Sequence, residues 1–458
     1  MKDAKKLYIQ TFGCQMNVRD SERIVGIMQR LNYEPAGKPS RADLILINTC
    51  SIRQKVEHKT YSALGRFKRL KARKPELVLG LGGCVAQQEG EALLERFPYL
   101  DLVIGTHQIH RLPELIRTVR ERKERIAATT LLNGSPERFR GHTLQIPNPS
   151  PRWTSGQDYQ IPGNGNRVKA LVTVMEGCDN YCSYCIVPYV RGREISRSSD
   201  DILREITDLA QCGVREVTLI GQNVNSYRGN GSGTSFPDLL ERINGITGLF
   251  RIRFTTTHPR DLSEELIGSF GRREKLCEHI HLPLQSGSDS VLRQMNRGYS
   301  REDYLHKVEQ LRRASSGIAI STDILVGFPG EREEDFNDTL DLLKRVRFDA
   351  IFSFKYSHRP PASASRLSED VPEEEKGRRL GLIQDVQRQI TLEKNRELIG
   401  NKEEVLVEGP SRRDPEWLTG RTRSNRVVNF PGDKDLIGQL VPVEITKAYQ
   451  NSLKAEIL

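Results

Sequence analysis

Three cysteines near the middle of the chain have the spacing of a metal-binding loop. Cys178, Cys182 and Cys185 follow the apolar run 168–174, which predicts a strand that leads directly into a ligand-bearing loop. Thiolates are the usual ligands of iron–sulfur clusters. Three of them leave one iron of a four-iron cube without a protein ligand, and that iron can bind a small chelating molecule and pass it an electron. The spacing therefore predicts a redox-active [4Fe–4S] site.

A structural zinc loop is the alternative interpretation of this spacing. Zinc sites normally close with four cysteine or histidine ligands in paired spacing, and the sequence has no histidine or fourth cysteine near this loop. The iron–sulfur interpretation is therefore favoured.

A second set of three cysteines is predicted to converge in the first part of the chain. Residues 1–122 alternate between strand and helix patterns, which indicates an open, mostly parallel α/β sheet. Cys14, Cys50 and Cys84 each follow the end of a different strand, and those ends face one crevice in such a sheet. A second cluster with a free iron is therefore expected. The predicted strands are Lys6–Thr11, Leu44–Ile47, Leu77–Leu81 and Leu102–Ile104, and the first helix is expected to begin near Ser21.

Composition limits the class of protein. The chain has 458 residues, enough for about two to four domains, and eight cysteines. With no export signal in the sequence, these are expected to be reduced thiols in a cytoplasmic protein, of which Cys212 and Cys277 are predicted to be small core residues. No apolar run approaches the ~20 residues of a membrane span. The net charge of +10 is compatible with a polyanionic partner.

The central loop resembles the signature of the radical S-adenosylmethionine (SAM) enzymes, including the aromatic Tyr184 before the last cysteine. The longer run 177–197 is similar to that of the methylthiotransferases. The resemblance implies that the open iron binds SAM and that its reduction yields a 5′-deoxyadenosyl radical. The first part of the chain resembles the same family in three further runs, which are Thr11–Asn17, Asn48–Arg53 and Gly82–Gln87.

Residues 167–398 repeat strand and helix six times, which predicts a partial (β/α)6 barrel with functional residues at the carboxyl ends of its strands. His258, after the third of these strands, is interpreted as a turn residue. Other polar side chains of the predicted barrel, together with Tyr184, are expected to bind SAM, although ordinary turn polarity is the alternative for each of them. These are Gln222, Asn223 and Gln285, together with Asp323 within the fifth strand. The predicted strands are 168–174, 216–220, 251–255, 279–282, 319–326 and 350–354.

Residues 399–458 read as five short strands, which predicts a small closed, OB-like β-barrel. The arginine-rich run 419–428 resembles the RNA-binding TRAM domain of the same family. A charged barrel that merely packs on its neighbours is the alternative. The expected RNA contacts are Arg421, Arg423 and Arg426 with phosphates, and Asn425 and Phe430 with unstacked bases. Contacts are also expected from Arg191, Arg193 and Arg197 after the central loop.

Residues 123–166, rich in Arg, Lys, Pro, Gly, Asn and Ser, are predicted to be a linker.

The resemblance implies a division of labour between the two cysteine sets. The central cluster would generate the radical that removes a hydrogen, the cluster of the first part of the chain would hold the inserted sulfur, and a second SAM would supply the methyl group. The resemblance is greatest to the branch that acts on isopentenylated adenosine 37 beside a tRNA anticodon, at ring carbon 2. The implied partners are the tRNA anticodon stem-loop, an electron donor of the flavodoxin or ferredoxin type and a sulfur source, and a monomer is expected.

Two other activities known in this family remain as alternatives. One acts on threonylcarbamoyl-adenosine in tRNA, and the other on an aspartate of a small-subunit ribosomal protein. A non-catalytic iron–sulfur protein that binds RNA is the alternative from another class, but it leaves the two three-cysteine sets without a purpose.

Overall fold

The structure is a computed structural model, and it describes residues 4–51, 54–133, 135, 139, 168–229, 233–368 and 370–458. Packing divides the chain into two units. The first comprises residues 1–167, 171–179 and 186–208, and the second comprises residues 168–170, 180–185 and 209–458. The cysteine loop therefore contributes residues to both units.

A six-stranded parallel sheet forms the first unit, in the order β2-β1-β3-β4-β5-β6. Its elements are β1 (Lys5–Phe12), α1 (Gln15–Gln29), β2 (Tyr33–Pro35), β3 (Leu44–Thr49), α2 (Gln54–Arg73), β4 (Val78–Gly83), α3 (Cys84–Glu89), α4 (Ala92–Arg96), β5 (Leu102–Ile104), α5 (Leu112–Arg122) and β6 (Ile126–Ala128). Further along the chain lie β7 (Lys169–Thr173), β8 (Met175–Glu176), α6 (Val187–Arg191), β9 (Ile195–Ser196) and α7 (Ser199–Gln211).

Both faces of this sheet are covered, because successive side chains of a strand point to opposite faces. On β3, Leu44 and Leu46 belong to the apolar cluster that includes residues of α1 and α5. Ile45 and Ile47 belong to the cluster on the other face, with residues of α2. This explains why the strands read as nearly continuous apolar runs.

The parallel α/β sheet is confirmed, with three differences of detail. The prediction that the first helix begins near Ser21 is wrong, because α1 begins at Gln15, directly after Cys14. The short edge strands β2 and β6 had no sequence signal. The last of these, β6, pairs with β5 and lies after residue 122, so the sheet continues into the predicted linker. Most of that linker falls outside the described residues.

The second unit contains a parallel array that matches the predicted partial barrel. β10 pairs with β11, a bridge joins Ile252 to Leu276, and β12, β13 and β14 follow in order. The carbonyl of Val168, just before β7, accepts hydrogen bonds from the first residues of this array. The elements are β10 (Glu216–Ile220), α8 (Phe236–Asn244), β11 (Arg251–Phe254), α9 (Glu264–Ile267), β12 (His279–His281), α10 (Asp289–Gln294), α11 (Arg301–Ala314), β13 (Ala319–Val326), α12 (Glu333–Val346), β14 (Ala350–Lys355) and α13 (Glu373–Arg396).

The last part of the second unit is a closed barrel in the order β15-β16-β17-β19-β18, which confirms the predicted small β-barrel. Phe430 is fully buried in its core, so the expectation that this ring meets RNA bases is wrong. The strands are β15 (Lys402–Pro410), β16 (Trp417–Thr422), β17 (Val427–Pro431), β18 (Leu440–Ala448) and β19 (Leu453–Ile457).

Arginines hold this small barrel against β11. Arg253 donates to the carbonyls of Thr422 and Arg423 at 2.7 and 2.8 Å, and its Nε lies 2.9 Å from the Glu216 carboxylate. In the other direction, the Arg423 guanidinium pairs with Glu278 at 2.7 Å.

Replacing Arg253 by methionine is expected to lower the free energy of unfolding of the small barrel by about 3–5 kcal/mol, because it leaves the buried Glu216 charge without its partner. Trp417 fluorescence during urea titration, in a Trp153→Phe background, would measure this. Arg313→Met removes an arginine that is 75% exposed and should change the same quantity by no more than about 0.5 kcal/mol. Equal effects of the two substitutions would contradict the role given to Arg253.

Candidate active site

The sheet register brings Cys14, Cys50 and Cys84 to one edge of the first unit. β1, β3 and β4 are neighbouring parallel strands, and Phe12 pairs with Thr49, which pairs with Gly83. Each cysteine follows its strand within two residues. The Cys50 thiol lies within hydrogen-bonding range of both other thiols. The structure thus shows the convergence that the strand positions predict, while the role of these cysteines as cluster ligands stays a prediction.

Hydrogen bonding among the three thiols shifts their pKa values in different directions. The bond with Cys50 lowers the pKa of Cys14 to about 6, and the bond with Cys50 also lowers the pKa of Cys84. The same two bonds raise the pKa of Cys50 well above its usual value. Metal ligation requires thiolates, so binding of a cluster here would release the proton of Cys50.

Close backbone packing supports this cysteine site. Gly83 has a φ of +91°, and a Cβ there would lie 2.3 Å from the carbonyl oxygen of Thr49. The side chain of Asn17 accepts from the Cys14 thiol at 3.3 Å and donates to the Thr49 carbonyl at 3.1 Å. Across the described residues, no three histidine, cysteine or carboxylate side chains have the arrangement of a single-ion site. The three thiols are close together because Cys50 lies within hydrogen-bonding range of both Cys14 and Cys84.

The central cysteine loop begins in the first unit and continues in the second. The N–H of Cys178 donates to the carbonyl of Gly192 at 3.3 Å. Gly177 precedes it with a φ of +81°, and a Cβ on this residue would lie 2.1 Å from the carbonyl oxygen of Arg193. A glycine is therefore required where β8 passes into the loop. Cys182 and Cys185 belong to the second unit.

A buried arginine contacts the central loop in the second unit, and sequence analysis missed it. Nη1 of Arg297 lies 3.3 Å from the Cys182 sulfur and 3.3 Å from the Tyr184 hydroxyl. Nη2 donates to the Pro283 carbonyl at 2.8 Å, and Nε donates to the Tyr299 hydroxyl at 3.0 Å. The guanidinium can therefore orient Cys182 and offset its charge as a thiolate.

Replacing Arg297 by methionine is expected to reduce SAM cleavage by about 10- to 100-fold, the usual effect of removing a group that orients a metal ligand. Quantifying 5′-deoxyadenosine by chromatography, with iron content measured on the same samples, would test this. Arg313→Met is the matched control on an exposed site. Full activity and full iron content in Arg297→Met would show that the contact with Cys182 has no functional role.

His258 has the turn role predicted for it. Its Nδ1 accepts from the N–H of Arg260 at 3.2 Å. Burial lowers the pKa of His258 to about 2, so the ring is neutral at physiological pH. Its Nε2 lies 4.0 Å from the Cys182 sulfur.

The structure brings two of the residues predicted to bind SAM together. The N–H of Gln285 donates to the Asp323 carbonyl at 2.8 Å, and the Asp323 carboxylate lies 3.5 Å from Nε2 of His281. Asn223 instead donates to the Asp261 carboxylate at 2.7 Å. Gln222 lies beside it after β10, and Tyr184 packs with Met295 and Phe328. Contact with SAM stays a prediction for all five residues.

Two of the predicted RNA contacts require correction. The side chains of Arg191 and Arg197 are each only 2% exposed and are paired with carboxylates, Asp20 at 2.6 Å and Glu205 at 2.8 Å. Buried guanidinium groups cannot meet an RNA backbone, so their expected role is not supported. The Arg193 side chain is 69% exposed and lies 3.4 Å from Asp179. RNA contact by Arg193 stays a prediction.

The arginines of the small barrel are held by bonds within the second unit. Nη1 of Arg421 donates to the backbone carbonyl of Asn425 at 3.0 Å and to its side-chain oxygen at 3.2 Å. Arg426 pairs with Asp349 at 2.7 Å, and Arg423 pairs with Glu278. An RNA phosphate would have to compete with these partners. RNA contact by this segment stays a prediction.

Cys277 is buried as expected, but the expectation for Cys212 is wrong. Cys212 is exposed, and it directly follows the last residue of α7.

Comparison with known proteins assigns these parts to families. Residues 6–105 match the uncharacterized protein family UPF0004, residues 172–343 match the radical SAM superfamily, and residues 396–458 match the TRAM domain. A radical SAM methyltransferase, TsrM from Kitasatospora setae, solved with cobalamin and a [4Fe–4S] cluster, shares the fold. Its TM-score is 0.58 at 14% identity, over 79% of this chain and 74% of that one. The fold and the site thus define a radical SAM enzyme with an iron–sulfur cluster and a TRAM domain.

Curated relatives specify the family further. tRNA-2-methylthio-N(6)-dimethylallyladenosine synthase of Geobacter sulfurreducens is 50% identical over the whole chain and 98% of its own length. The synthases of Syntrophus aciditrophicus and Geobacter metallireducens are 50% and 51% identical, again over the whole chain, and are covered to 95% and 99% of their lengths. The chain belongs to the family of tRNA-2-methylthio-N(6)-dimethylallyladenosine synthases and is a radical SAM methylthiotransferase. Among the described residues, no helix is both long and apolar enough to span a membrane.

Proposed function

We propose that this protein converts N6-isopentenyladenosine at position 37 of tRNA into its 2-methylthio derivative, with one SAM cleaved to a radical and a second SAM used as methyl donor. The observation that carries the proposal is the convergence of Cys14, Cys50 and Cys84 at the carboxyl ends of adjacent strands, in addition to a radical SAM loop. Identity of about one half with the synthases, over the whole chain, indicates the substrate.

Two sets of thiols would hold two [4Fe–4S] clusters. Cys178, Cys182 and Cys185 would ligate the cluster that, when bound and reduced, cleaves SAM to a 5′-deoxyadenosyl radical. The other three cysteines fit a second cluster, because mutual hydrogen bonding already favours the thiolates of two of them. Gln285, which follows β12, and Asp323, within β13, are joined by a backbone hydrogen bond and would orient the SAM that is cleaved, together with Tyr184, Gln222 and Asn223.

The tRNA would be bound as its anticodon stem-loop. In a single-stranded loop the target base can be splayed out at little unstacking cost. The TRAM segment around Arg421 and Asn425, and the exposed Arg193, are the proposed contacts. An electron donor of the flavodoxin or ferredoxin type and a sulfur source would complete a reaction carried out by a cytoplasmic monomer.

Mass spectrometry of digested nucleosides tests this proposal. Anaerobically reconstituted protein, reductant and SAM would be incubated with isopentenylated tRNA, with unmodified tRNA as the matched control. The expected product is the methylthio derivative of the isopentenylated nucleoside and none from the control. Product only with threonylcarbamoylated tRNA, or only with the ribosomal protein, would refute the proposed substrate, and absence of SAM cleavage would refute the radical chemistry.

A further inference from the structure

Eight charged side chains are buried together in the first unit, beside the thiols of Cys14 and Cys84. They are four arginines and four carboxylates, so their formal charges cancel, and none is more than 3% exposed. They are Arg19, Asp20, Glu22, Arg23, Glu176, Arg191, Arg197 and Glu205. Burial of so many charges is costly unless each is paired.

Arg191 differs from the other arginines of this group because its guanidinium also lies close to Cys84 and Cys14. Its Nη2 lies 2.6 Å from the Asp20 carboxylate, and Nη1 lies 3.8 Å from Glu176. The guanidinium also lies within hydrogen-bonding range of the Cys84 thiol, and its charge contributes, after the bond with Cys50, to lowering the pKa of Cys14.

The side chains of Thr106 and His107 hold the backbone at Val190 and Arg191 in place. Nε2 of His107 donates to the Arg191 carbonyl at 3.0 Å, while its Nδ1 accepts from the N–H of Leu132 at 2.9 Å. In addition, the Thr106 hydroxyl donates to the carbonyl of Val190 at 2.7 Å. The end of α6 is thereby fixed beside Cys84, which packs against Ile186 and Val190 of the same segment.

We propose that Arg191 is a positioning residue for the cluster held by Cys14, Cys50 and Cys84, where it orients the Cys84 thiolate and offsets the negative charge of the cluster. This inference rests on the second cluster of the proposed function. A cationic hydrogen-bond donor beside the ligand sulfur stabilises the more negative, reduced state, so it raises the reduction potential. Loss of this positioning contact should also reduce retention of iron.

Arg197 provides a matched control for Arg191. It is equally buried, and its Nη1 lies 2.8 Å from Glu205 and from the Thr173 carbonyl. Removing either arginine leaves a buried carboxylate with one partner fewer, so a purely structural effect should be similar in both. A change in cluster potential should follow only from loss of Arg191.

The test uses the full chain with Cys178, Cys182 and Cys185 all replaced by alanine, so that the remaining iron reports on the other three cysteines. Iron and sulfide content and an EPR-monitored redox titration would be compared for this parent and for Arg191→Met, Arg191→Lys and Arg197→Met. We expect Arg191→Met to shift the midpoint potential to more negative values and to lower iron content. Arg191→Lys should shift it less, because the charge remains, and Arg197→Met should leave it at the parent value.

Each outcome decides the matter. The same potential in all iron-containing variants would overturn the role of Arg191, and so would equal shifts in Arg191→Met and Arg197→Met. If Arg191→Met retains too little iron for titration, the Arg191→Lys variant decides in its place. Absence of iron from the parent itself would refute the second cluster, and with it this inference, whereas equal potentials refute the inference alone.

Discussion

Replacing Cys182 by alanine is expected to reduce release of 5′-deoxyadenosine from SAM to the assay background, while tRNA binding is retained. Cys182 is buried, lies on the radical SAM loop and contacts Arg297 at 3.3 Å. Loss of one of three thiolates removes a cluster ligand that no neighbouring cysteine can replace. Chromatography of SAM products and a gel-shift measurement with tRNA would separate the two effects.

Cys212→Ala is the control for this substitution, because Cys212 is an exposed cysteine outside both sets. It should leave SAM cleavage and tRNA binding unchanged. Retained 5′-deoxyadenosine formation in Cys182→Ala would contradict the role of this cysteine as a ligand. Loss of tRNA binding as well would indicate misfolding instead of a specific defect.

Replacing Cys50 by alanine is expected to separate the two halves of the reaction. SAM cleavage should continue, because the central cysteines are intact, but the methylthio product should fall to background. The reason lies in the position of Cys50, whose thiol hydrogen-bonds to both Cys14 and Cys84. The two products, 5′-deoxyadenosine and the methylthio nucleoside, would be quantified in the same reaction with isopentenylated tRNA.

Cys277→Ala is the matched control here, since Cys277 is a buried cysteine that belongs to neither set. It should retain both products if the protein folds. Normal methylthio yield from Cys50→Ala would rule out the site at Cys14, Cys50 and Cys84 as the place where the inserted sulfur is held.

The cysteines and the elements that carry them could be predicted from the sequence, because their information is local. A strand is marked by its apolar run, and parallel neighbours place their carboxyl ends at one edge, so the meeting of Cys14, Cys50 and Cys84 follows from three short runs. The start of α1 was missed because Cys14, and not Ser, Thr, Asp or Asn, occupies the N-cap.

The arginines could not be assigned from sequence, because their roles depend on partners far along the chain. Arg191 binds Asp20, which is 171 residues away, and Arg297 contacts Cys182 across 115 residues. Near the cysteine loop, Arg191 and Arg197 look like part of a basic RNA-binding segment. Only the packed structure shows that they are buried and that their charges are balanced by carboxylates.

Transfer of deuterium tests the central claim most directly. Isopentenylated tRNA carrying deuterium at carbon 2 of adenosine 37 would be incubated with the reduced protein and SAM, and both products analysed by mass spectrometry. If the radical generated at the central site removes that atom, 5′-deoxyadenosine gains one deuterium while the nucleoside gains the methylthio group. Methylthio product formed with no deuterium in 5′-deoxyadenosine would contradict the account.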